Sequence, residues 1–78
     1  MVMVGEEHVH EGITVKVVEV IPYRDFRNQK NLMIGYMIID GDFTSPVAHI
    51  WMLETEDIAE KLRSVAGYYL TIKSSLKR

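Results

Sequence analysis

Residues 13–21, Ile-Thr-Val-Lys-Val-Val-Glu-Val-Ile, are dense in β-branched side chains and stop at Pro22, which predicts a strand. Its alternation contains a fault. Lys16 and Glu19 stand three apart, so a strict period of two would place them on opposite faces. Either the strand is covered on both sides, or a bulge near Val17 and Val18 shifts the register. Residues 22–31 are polar and read as a long connection of the kind that often carries function. Leu32 to Ile39 form a second, almost continuously apolar strand, and Asp40-Gly41-Asp42 is a turn signal. Pro46 then bounds a third run, residues 47–53. If Ala48, Ile50 and Met52 face the core, His49 and Trp51 face the other way. The second strand has no such tie-breaker, because both of its parities are apolar.

Thr55 is positioned to cap a helix with Glu56 and Asp57 in its first turn, where negative charge complements the helix dipole. Ile58, Ala59, Leu62, Val65 and Ala66 recur at helical spacing, so Ile58, Leu62 and Val65 are expected to pack on the sheet. Asp57 and Lys61 form an i,i+4 pair, and Gly67 fits a left-handed C-terminal cap. Residues 68–73, Tyr-Tyr-Leu-Thr-Ile-Lys, alternate as a half-buried strand would, before a basic tail. The expected class is therefore α+β, mostly β: a small bent antiparallel sheet with one helix, in the order strand, strand, strand, helix, strand. Residues 1–12 form an N-terminal segment able to add a strand, and residues 13–78 form a single domain.

A chain of 78 residues holds one thin core. Its 47% apolar content is that of a globular protein rather than a disordered one. There is no cysteine, which removes disulfides and thiolate metal sites and favours a cytoplasmic home. The opening Met-Val-Met-Val meets Glu6 and Glu7 without a basic stretch, unlike a signal peptide, and no apolar run reaches the roughly 20 residues that span a bilayer. A net charge of −2 argues against a surface that grips a polyanion all round. The cations are segregated, however: Arg24, Arg27 and Lys30 share one polar stretch, and Lys61, Arg63, Lys73, Lys77 and Arg78 lie in the last eighteen positions.

The coiled first strand, the Ile39-Asp40-Gly41 turn, Ile50-Trp51 on the third strand, and the run from Gly67 to Lys73 together resemble the OB-fold of single-strand nucleic-acid-binding proteins. The resemblance covers residues 13–73. It implies an OB-like barrel, open because too little chain follows Ile72 for a fifth strand unless the first ten residues supply it. It also implies binding of single-stranded DNA, single-stranded RNA or structured RNA, as a subunit of a ribonucleoprotein or DNA-processing assembly. The residues suited to that task are Tyr23, Phe26, Tyr36, Trp51 and Tyr69 for stacking, with Arg24, Arg27, Lys30, His49 and Lys73 beside them for phosphates.

Catalysis has little support. The serines lie in no nucleophile motif, and no phosphate-cradling glycine loop is present. The carboxylates at 40, 42, 54, 56 and 57 read as turn and helix-start residues. His8-Val9-His10 has a spacing that zinc sites use, but further ligands are lacking, so neither metal nor cofactor is expected. The alternative to nucleic-acid binding is a protein-interaction or oligomerisation module, suited by five methionines, near-neutral charge and an unpaired sheet edge. A homo-oligomer or a host complex is expected to cover that edge.

Overall fold

The computed structural model describes residues 2–76; Lys77 and Arg78, which end the expected basic tail, lie outside the described residues. The described chain runs β1 (Glu7–His10), β2 (Ile13–Arg24), β3 (Lys30–Asp40), β4 (Phe43–Thr44), β5 (Ala48–Leu53) and then α1 (Ile58–Leu76). All strand pairs are antiparallel. β1, β2 and β3 follow in order, and β4 and β5 share the far side of β3. The sheet is open, and the helix comes last.

Each turn is legible in residue chemistry. Glu11 and Gly12 both adopt positive φ, as a two-residue hairpin turn that follows the strand twist requires, and Gly12 does so without a Cβ penalty. The β2–β3 connection is shorter than the sequence suggests, because residues 22–24 and 30–31 pair as strand and leave only 25–29 as loop. Asp25 organises that loop: its Oδ1 accepts the N–H groups of Arg27 and Gln29, and Asn28 takes the left-handed conformation.

A bulge falls between Val17 and Glu19. Before it Ile13, Val15 and Val17 face the helix; after it Val20 does, opposite Ile34. Lys16 and Glu19 therefore share the other face, which resolves the fault in the alternation. Val15, Val17, Ile34 and Leu62 are fully buried between sheet and helix, joined by Val2, Ile13, Met52 and Ala66.

The expected last strand is helix. Residues 68–73 continue α1, and Gly67 is interior to it rather than a cap. A helical glycine costs about 1 kcal/mol relative to alanine. The stripe outweighs that cost: Leu62, Val65, Ala66, Tyr69 and Lys73 keep the three- and four-residue spacing that a strand would scatter over two faces. Both Tyr69 Oη and Lys73 Nζ reach Asp40 Oδ2, at 2.9 and 2.6 Å. The helix start also moves. Asp57, not Thr55, is the cap, its Oδ1 accepting the N–H of Ala59. Lys61 pairs with Glu56 at 3.2 Å instead of Asp57.

Candidate interaction surface

Because side chains alternate along a strand, every residue absent from the helix side of the sheet faces outward. The registers stack those residues in rows: Glu7, Lys16 and Met37; Glu19, Gly35 and His49; Ile21, Met33 and Trp51; Tyr23, Asn31 and Leu53. Half of this outer face is apolar, and nothing among the described residues covers it. Trp51 is 59% exposed and Ile21 37%, with Leu53 also exposed and Met33 lying between. Tyr23 meets Trp51 edge to face, ring centroids 5.3 Å apart.

One polar device interrupts the apolar field. Glu19 on β2 and His49 on β5 flank the central strand, and their side chains bridge over it, Oε1 to Nε2 at 2.9 Å. Gly35 makes this possible. A Cβ there would stand 2.9 Å from the Glu19 Cβ and 3.3 Å from His49 Nε2. The glycine inside an apolar strand thus marks a close approach of side chains rather than a defect.

The residues proposed from sequence for nucleic-acid binding divide among the outer face, the hairpin tip and the groove between α1 and β5, whose lining includes Tyr36, His49, Trp51 and Tyr69. Tyr23, His49 and Trp51 share the outer face. Phe26 and Arg27 stand at the tip of the β2–β3 hairpin, Phe26 94% exposed with the Arg27 guanidinium 5.5 Å from its ring. Arg24 and Lys30 pair across the same hairpin just below that tip, with Arg24 Nη1 donating to the Asn28 carbonyl. Tyr36 faces the helix, and burial raises its phenol pKa. Tyr69 and Lys73 lie on α1 and are held by Asp40. That hydrogen bond raises the Lys73 pKa, while desolvation and the same carboxylate raise that of Tyr69. Tyr69 also stacks on Phe43 at 6.1 Å. Their role is to fix the helix to the β3–β4 turn.

His8 and His10 face the helix, beside Ala59, Leu62 and Arg63. His8 Nε2 lies 3.1 Å from Glu6 and His10 Nε2 2.9 Å from Glu11. Among the described residues no group of three or more His, Cys, Asp or Glu is placed to hold a metal ion. No helix among them is long and apolar enough to cross a membrane.

Sequence reasoning did not single out Ile21, Met33, Leu53 or the Glu19–His49 bridge. For Ile21 and Glu19 the bulge expected near Val17 and Val18 carries the signal, since it decides which β2 residues accompany Trp51. A second apolar feature lies on the helix side. Between α1 and β5 an open groove of about 680 Å³ is floored by Tyr36, Ile38 and Ile50 and walled by Val65, Tyr68 and Ile72.

No family model matches the chain, and neither a curated protein nor a solved structure is found to be similar to it.

Proposed function

We propose that this chain is a non-enzymatic interaction module that docks onto a protein surface through the outer face of its sheet, with Trp51 at the centre. The observation that supports it is the apolar field of Ile21, Trp51 and Leu53, open to solvent around a half-buried Met33 in a chain with only a thin core of its own. Contiguous exposed apolar surface of this kind marks interaction sites, and tryptophan and tyrosine are among the residues enriched at binding hot spots. The acid–base pair over Gly35 gives the face one directional polar group amid non-directional contacts.

The module should retain its partner at high salt, because apolar contacts are not screened. Immobilised wild-type chain and a Trp51→Ala variant, exposed to the same cell extract at low and high salt, test this. A protein held by the wild type at both salts and lost from the variant, then rebound when purified, is the expected outcome. Equal retention by both baits contradicts it.

One observation favours a second reading, the OB-like one. Trp51 and Tyr23 offer stacking surfaces on the same hairpin that carries Arg24, Arg27 and Lys30, cations without a salt bridge among the described residues. In that reading the chain binds single strands, bases on Trp51 and phosphates toward the hairpin tip. Oligonucleotides would then change the Trp51 emission at low salt, and salt would abolish the effect.

A further inference from the structure

The two edges of the sheet differ. β1, Glu7-His8-Val9-His10, carries charge and imidazole, and the helix packs beside it. β5, Ala48-His49-Ile50-Trp51-Met52-Leu53, pairs among the described residues only with β3 and carries no Lys, no Pro and no bulge, the features that normally protect an edge. Which of its backbone groups are free follows from the ladder. Glu54 N–H donates to the Lys30 carbonyl, and Ser45 N–H to the Ile38 carbonyl, so the even-numbered residues of β3 turn their backbone toward the β4–β5 side. Antiparallel ladders alternate, so Ala48, Ile50 and Met52 bond to β3, while His49, Trp51 and Leu53 direct N–H and C=O away from the sheet. Leu53 is already satisfied: its N–H donates to Glu56 Oε1 at 2.8 Å and its carbonyl accepts the N–H of Glu56 at 3.0 Å. His49 and Trp51 are the strand residues whose outward groups are left.

We infer that β5 pairs antiparallel with β5 of a second copy, Ile50 opposite Ile50, about a two-fold axis perpendicular to the sheet. This register is the one in which each outward N–H and C=O of His49 meets its complement on the second copy's Trp51, and the reverse. Shifting by one step in one direction would set His49 against Leu53, whose groups Glu56 holds; in the other it would set Trp51 against Val47, next to Pro46. Self-pairing also avoids like charges, since Ala48–Leu53 carries no full charge apart from a protonated His49, which Glu19 would balance. On the helix side the second copy's Ile50 enters the mouth of the groove beside Ile50 and Tyr68. On the outer face, His49 of each copy lies beside Trp51 of the other, so the two docking faces become one. The pairing uses the edge and not the outer face, and it stands whether or not that face binds a protein.

The chain has no cysteine, so single substitutions report cleanly. Ile50→Cys places two thiols in a non-hydrogen-bonded antiparallel pair, Cα atoms about 4.5 Å apart, within the range of about 4.4–6.8 Å that a disulfide accepts. Ala48→Cys, four residues from its own image in that register, places them about 13 Å apart. Under mild oxidation Ile50→Cys should form covalent dimer at least tenfold faster than Ala48→Cys. Wild-type chain should sediment as a dimer, with the His49 and Trp51 amides protected from exchange as concentration rises. A monomer at every concentration with freely exchanging His49 and Trp51 amides overturns the proposal. So does a dimer in which those amides exchange freely and Ile50→Cys has no advantage, which would place the contact on the outer face. If Ile50→Cys fails to fold, the wild-type sedimentation and amide exchange decide alone.

Discussion

The two faces of the sheet are built from alternate residues of the same strands, yet one is a core and the other is not. On the helix side Val15, Val17 and Ile34 are sealed under Leu62. On the outer side Ile21, Met33, Met37 and Ile39 are comparable in size and polarity, and they remain open or half-open. An ordinary antiparallel sheet with one wet face alternates apolar and polar residues, whereas β3 reads apolar on both parities, as strands covered on both faces do. Along β3 the difference between the faces is thus one of cover, not of composition.

Truncating the covered face should have the largest effect. Leu62→Ala removes a fully buried side chain and should cost about 2–5 kcal/mol, enough to lower the denaturation midpoint sharply in a chain with so thin a core. An unchanged midpoint would mean that the helix packs by another face. Gly35→Ala probes the boundary between the faces. Its Cβ collides with Glu19 from the outer side, so a loss of about 1–3 kcal/mol is expected from overpacking, and the chemical shifts of the His49 ring should move. If the variant is as stable as the wild type, the bridge over Gly35 is not a fixed feature.

Trp51→Ala sharpens the contrast. In isolated chain it should cost only about 0.5–1.5 kcal/mol, the worth of an aromatic pair such as that with Tyr23. It should cost the complex far more. A stability loss as large as that of Leu62→Ala would show that Trp51 is core. The smallest effect concerns pH. Hydrogen bonds from the Leu53 N–H and Lys61 hold the Glu56 pKa below its ordinary value of 4.5, and the Gln29 N–H leads those that lower Asp25 below 3.8. A carboxylate with a depressed folded pKa adds stability that is fully present above its unfolded value. That increment should fade as the pH drops below about 4.5, and the melting temperature should fall slightly on acidification. A rise over the same interval would contradict the two hydrogen-bonded loops.

The strands 13–21, 32–39 and 47–53 were legible because β-branched density and turn residues agree there. So was the outward parity of His49 and Trp51. The end of the chain misled for a physical reason. Tyr68 to Lys73 alternates apolar and polar, but it also continues the helical stripe from Leu62 and Val65, and Gly67 disguises the continuity. The tertiary partner that decides between the two, Asp40, is distant in sequence and invisible to local pattern. The candidate site was half legible. Aromatic and basic residues could be picked by type, but the pairing register turns Tyr36 to the helix side, and the helix carries Tyr69 and Lys73 to Asp40; no composition argument supplies either placement.

The outer face, bare of cover among the described residues, should be covered by protein when the chain functions. Hydroxyl-radical footprinting of Trp51, in purified chain and in nuclease-treated native extract, tests it most directly, with the exposed ring of Phe26 as internal reference. Trp51 should be labelled readily in the purified chain and protected in the extract, while Phe26 should be labelled equally in both. Equal labelling of Trp51 in the two samples would contradict it.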